Sequence, residues 1–144
     1  MGAQSMTLPA RQPDWPMRFE RFLAACRERP FAWGEHDCCL LVLDWIELAT
    51  GRRPADTRGR YRDAAGAAAV MGERWGSDDL IAVVSAELGP PLASPLLAGR
   101  GDVLAFRHGQ RVWLGLCVGH HGVAVTAKGL GTLPLGRAIL GWRV

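Results

Sequence analysis

The sequence predicts an α+β fold in which N-terminal helices pack on a C-terminal antiparallel sheet. Three observations carry this. Between residues 14 and 88, apolar side chains recur at helical spacing in successive blocks. From residue 102 onward, short apolar runs alternate with glycine-containing turns. Between the two halves lies residues 89–100, GPPLASPLLAGR, a proline-broken connector. Helices first and strands afterwards is the order of an α+β domain.

The elements follow in order. Residues 1–13 lack apolar periodicity and contain Pro9 and Pro13, so they read as an extended arm to be ordered by a partner. Residues 14–144 read as one domain. A first helix is expected over 14–28, with Trp15, Phe19, Phe22, Leu23 and Cys26 on one face. Its other side, with Arg18, Glu20, Arg21, Arg27 and Glu28, is a solvated face.

The next stretch organises the chain. Pro30-Phe31-Ala32-Trp33-Gly34-Glu35-His36 is a loop, because Pro30 stops a helix and Trp33-Gly34 signals a turn. Asp37 then serves as N-cap. Cys38, Leu41, Val42, Trp45, Ile46 and Ala49 follow on one face, and Gly51 ends the helix. This should be the central buried helix. Residues 51–60 form a polar, arginine-rich loop. Residues 62–73 are alanine-rich and helical, with an interruption expected near Gly66. Ser77-Asp78-Asp79 caps a helix over 80–88, closed by Gly89 and Pro90.

The C-terminal half reads as a meander. Strands are expected over 102–106, 112–118 and 123–127, with turns at His108-Gly109-Gln110 and His120-His121-Gly122. Residues 129–136 read as a glycine-punctuated link, and a last strand spans 138–144 with Trp142.

Bulk properties narrow the function. The 144 residues suit one domain with a modest core. A hydrophobic content of 49% with six tryptophans argues for a folded globule. The net charge of +3, without a dense basic block, gives no support for nucleic-acid binding. No apolar run reaches membrane-spanning length, and the start does not resemble a signal peptide. Synthesis in the cytoplasm is expected.

Four cysteines are present: Cys26, Cys38, Cys39 and Cys117. No C-x-x-C spacing occurs, so no metal site or cofactor is expected. Cys26 and Cys117 read as small buried hydrophobes. Cys38 and Cys39 are adjacent on a helix and are expected to point in different directions. Cys38 sits in the first helical turn, where the partial positive charge of the helix N-terminus favours thiolate, the reactive form.

The run FAWGEHDCCLLV resembles the nucleophile segment of the NlpC-type, papain-like cysteine peptidases. There an aromatic-Trp-Gly loop leads to Asp-Cys at a helix start. Gly101-Asp102-Val103-Leu104-Ala105-Phe106 is similar to the family's first core strand, and Trp113-Leu114-Gly115-Leu116-Cys117-Val118-Gly119 to the next, which begins His-Val-Gly-Ile in active members. The whole chain also resembles small proteins of phage tail gene clusters with this layout. The resemblance covers about residues 17 to 144 and implies a papain-like/NlpC-like fold.

It also implies site residues. Cys38 falls at the nucleophile. Trp113 falls at the usual base histidine, and Thr126 at or near the third polar residue. An indole N–H only donates and cannot take a thiol's proton. The four histidines offer no obvious substitute. His36 would have to fold back tightly, and His108 and His120-His121 lie in turns at opposite ends of the second strand. The resemblance therefore implies a virion tail protein, structural or assembly-related, with a peptidase-like fold and no catalysis. Its partners would be other tail proteins, with peptidoglycan as a second candidate. The alternative it implies is an active cysteine peptidase or amidase that opens peptidoglycan during genome entry.

Overall fold

The structure, a computed structural model, describes residues 8–144. Four helices come first: α1 (Trp15–Cys26), α2 (Cys38–Thr50), α3 (Ala64–Trp75) and α4 (Leu80–Leu88). Five strands follow: β1 (Val103–His108), β2 (Arg111–Cys117), β3 (His121–Thr126), β4 (Gly129–Pro134) and β5 (Ala138–Trp142). They form one antiparallel sheet in the order β4-β3-β2-β1-β5. The α+β expectation holds.

α2 is the hub. Asp37 caps it by accepting the Leu40 N–H at 2.9 Å, and Gly51 ends it at φ 81°. Leu41, Val42, Trp45, Ile46 and Ala49 are buried in one core with Phe19 and Phe22 of α1 and with Val103, Ala105, Leu114, Leu116, Val123 and Val125 of the sheet. These strand residues alternate along β1, β2 and β3, as the pleat requires for one face. Trp45 is fully buried. Its ring lies 4.6 Å from Phe19, and its indole N–H donates to the Gly101 carbonyl at 2.8 Å. The helix is thereby fixed to α1 and to the entrance of β1. The opposite sheet face carries a smaller core of Leu104, Phe106, Cys117, Ala98 and Ala138.

Three local readings are corrected. Residues 129–134 are not a link but β4, paired with β3 along its length from Thr126↔Gly129 to His121↔Pro134. Gly129 and Gly131 hide the alternation that marks a strand, and backbone pairing carries it together with Leu130 and Leu133, which pack on the two cores. α3 runs unbroken through Gly66. Asp63 caps the Gly66 N–H at 2.7 Å, and the bare Cα lets the helix pass close to the Tyr61 side chain. The expected arm over 1–13 is partly tied down. Arg11 binds Asp102 at 2.9 Å and the carbonyls of Arg100 and Val144, and the Gln12 N–H donates to Ala49 at 2.7 Å. Residues 1–7 lie outside the described residues.

Two features position the site. β2 and β3 pair only at Leu116↔Val123 and Cys117↔Gly122, so they part toward the start of β2. α3 and α4 bury little of their own, only Val70, Val83 and Val84, and span the opening as a cover.

Candidate active-site cleft

The loop before α2 is built around Asp37. Its backbone folds on itself through a pair of hydrogen bonds between Ala32 and His36, at 3.0 and 2.8 Å. Gly34 takes φ 76°, with its Cα against the Tyr61 carbonyl, and a side chain would not fit there. Besides capping α2, the buried Asp37 carboxylate accepts the Gly34 N–H at 3.0 Å and the Tyr61 hydroxyl at 2.6 Å. Burial, with this hydrogen bond next, pushes the Tyr61 phenol well above its ordinary range. Every lone-pair direction of Asp37 that matters is thus committed to structure. It is not a free base.

Cys38 opens α2 and lines a cleft of about 750 Å³ between α2, the parted strands and the α3–α4 cover. The Cys39 thiol and the Leu114 N–H act on its sulfur as donors, and its own N–H lies beside it at the start of the helix. The Cys39 hydrogen bond is the largest influence and, with the backbone donors, brings the Cys38 thiol below its ordinary value, against burial and the Asp37 charge. The same hydrogen bond pushes Cys39 well up, and burial adds to this, so Cys39 keeps its proton. The expectation that the two thiols diverge is corrected. Adjacent helix positions are rotated by about 100°, but the reach of sulfur closes that gap in the first turn.

Leu114 donates to Cys38 because the sheet leaves its N–H free. On β2 the odd residues bond toward β1, as the Cys117 N–H does to Asp102 at 2.8 Å, so the even ones point toward β3. Leu116 has its partner there, but at Leu114 β3 has moved away.

Register also places Trp113. Its partner across the ladder is Phe106, which is buried on the sheet face away from α2. Trp113 therefore shares that face, and its ring stacks on His108 at 5.0 Å. It borders the cleft, but the residue of β2 that meets Cys38 is Leu114. Thr126 also borders the cleft. Its hydroxyl donates to the Gly129 carbonyl at 2.7 Å and accepts the Lys128 N–H, closing the β3–β4 turn. It orients no base.

None of the four histidines lines the cleft. His36 is 1% exposed, and both its ring nitrogens lack a hydrogen-bond partner. Burial, helped by the Arg29 charge, lowers its pKa, so it is held neutral. Arg58 acts in the same direction, while Asp44 and Asp37 oppose it. His120 and His121 pack on each other at 4.4 Å around the β2–β3 turn. Among the described residues, no group of three or more His, Cys, Asp or Glu is placed to hold a metal ion, and no helix is long and apolar enough to cross a membrane.

Sequence reading missed Cys39, Tyr61 and Leu114 as parts of the site. The adjacency of the cysteines was a usable signal. Tyr61 and Leu114 are brought in by tertiary contact, for which the local sequence carries no sign.

The site can stabilise a thiolate and offers backbone donors beside it; carboxylates of Asp78, Asp79 and Glu87 line the cleft, and no imidazole does. A search of curated proteins finds no match. Residues 10–144 match the family model described as a domain of unknown function, DUF6950, and the chain belongs to that family.

Proposed function

We propose that the chain is a phage tail protein, of the tail tip or its assembly, that uses an NlpC-like peptidase scaffold without peptidase activity. On this reading it is made in the host cytoplasm and carried in the virion, and its partners are neighbouring tail proteins. Support for the scaffold comes from the resemblance of the Trp33-Gly34 and Asp37-Cys38 run and of the run from Gly101 to Phe106. The observation that carries the silent half is the surrounding of Cys38. Its sulfur meets Cys39 and the Leu114 N–H, and no imidazole lines the cleft. A cysteine hydrolase needs a base to form the thiolate pair and to return the proton to the leaving group.

The test of the tail assignment is mass spectrometry of purified tails from the phage that encodes the chain. The protein is expected in them at a fixed ratio to a known tail component. Its absence from particles that assemble normally overturns the reading. A second reading, an active peptidase or amidase acting on peptidoglycan, is favoured by one observation: the donors that hold a thiolate at Cys38 are in place. Cleavage assays separate the two.

A further inference from the structure

A cleft for a peptide needs donors and acceptors along its walls to pair with the substrate backbone. In this one the walls are mostly apolar. α3 presents Ala64, Ala67, Ala68 and Met71 to it, and α4 presents Leu80 and Val83. Polar side chains line it too, among them Asp78, Asp79, Gln110 and Glu87 of α4, but Glu87 accepts the Trp75 indole N–H at 2.7 Å and Tyr61 is bound to Asp37. The volume of about 750 Å³ falls within the range of a small-molecule site. The cover itself is lightly anchored, since α3 and α4 bury only three residues between them. A long apolar ligand would enter by displacing α3, whose one buried residue, Val70, is not part of the main core.

We propose that the cleft holds a long-chain fatty acyl group, carried as a thioester on Cys38. The inference concerns the same cleft as the proposed function but does not depend on the chain's place in a tail. The acyl donor is an acyl thioester of the coenzyme A class. The Cys38 thiolate adds to the acyl carbonyl, the bond from that carbon to the coenzyme A sulfur breaks, and coenzyme A leaves as thiolate. It takes from solution the proton that Cys38 released. Negative charge develops on the former carbonyl oxygen, and the N–H groups beside the Cys38 sulfur are the donors available to it. Loss of the base then gains a meaning. With no imidazole to activate water, the acyl group stays on the sulfur and is not hydrolysed. The apolar walls bury the chain.

The experiment incubates the full chain with palmitoyl-coenzyme A and follows intact mass, peptide mapping and release by neutral hydroxylamine. Acetyl-coenzyme A at equal concentration serves as the short-chain control. The expected result is one palmitoyl group per molecule on Cys38, released by hydroxylamine, lost in Cys38→Ser and kept in Cys26→Ala, a position outside the cleft. Acylation by the acetyl donor should be slower by at least about tenfold, because it buries no chain. Ala68→Trp, which fills the cleft from the lightly packed α3, should slow palmitoylation by a similar factor. No adduct, an adduct on another cysteine, or equal rates with the two donors in the wild-type chain overturns the proposal. Peptidoglycan cleavage is not read in this experiment, so its outcome stands apart from that of the silent-peptidase reading.

Discussion

The Leu114 N–H donates to the sulfur of Cys38 across the gap where β2 leaves β3. One freed backbone donor therefore faces the sulfur. The contact arises from topology. The ladder between the strands ends after two pairs, and the N-terminus of α2 enters the opening. A donor stabilises the thiolate but cannot take up its proton, which sets the reactivity expected of this cysteine.

Alkylation should report it. Cys38 is expected to react with iodoacetamide ahead of Cys39, with a rate that rises in one step as pH increases through a midpoint below the ordinary thiol value of 9.0. Cys39→Ala removes the main donor and should move that midpoint upward. An unchanged midpoint in Cys39→Ala would contradict the hydrogen bond between the thiols.

Trp45→Ala should be among the most damaging single changes. It empties a fully buried site against Phe19 and leaves the Gly101 carbonyl without its donor. The expected cost is about 3–5 kcal/mol, read as a fall in the urea midpoint. A melt equal to wild type would refute the placement of α2 at the centre.

Tyr61 is the only tyrosine, so its titration can be followed by phenolate absorbance without overlap. Its folded pKa lies above the ordinary 10.0. Above about pH 10 the unfolded chain loses this proton while the folded chain keeps it. Stability tied to Tyr61 is thus complete below pH 10 and declines as pH rises. The phenolate band should appear only with unfolding. Tyr61→Phe should cost about 1.5–3 kcal/mol, the range for a hydrogen bond to a charged group, and remove this alkaline dependence. A phenolate band in the folded protein near pH 10 would show that the bond to Asp37 is absent.

His36 gives the opposite slope. Its folded pKa lies below 6.5, so below that pH the unfolded chain binds a proton that the folded chain resists. Stability is expected to fall as pH drops below about 6.5, by at most about 1.4 kcal/mol per pH unit from this one group. His36→Leu should flatten the urea midpoint between pH 7 and 5.5. Equal slopes in the two proteins would place the ring in water.

Much of this architecture was legible in the residues. Asp37, the apolar face from Leu41 to Ala49 and Gly51 mark α2 because cap, periodicity and terminator agree. The site was legible only in part. Cys38 declares itself by its place after a cap. The resemblance sets Trp113 at the base position, but a strand's period of two decides which face a residue occupies, and its pairing with Phe106 turns it away from α2. The resemblance sets Thr126 at or near the third polar residue, and it does border the cleft, but the β3–β4 turn claims its hydroxyl. β4 escaped notice because glycine carries no side-chain pattern. Pairing and splay are properties of strands in contact, and they are set by partners far away in the chain.

The most direct measurement of the central claim is release of soluble peptides from purified peptidoglycan by the wild-type chain, with Cys38→Ala alongside. A thiolate site without an imidazole should give release no greater than that of Cys38→Ala. Robust release by wild type that vanishes in Cys38→Ala would contradict the account and show that a base reaches Cys38 after all.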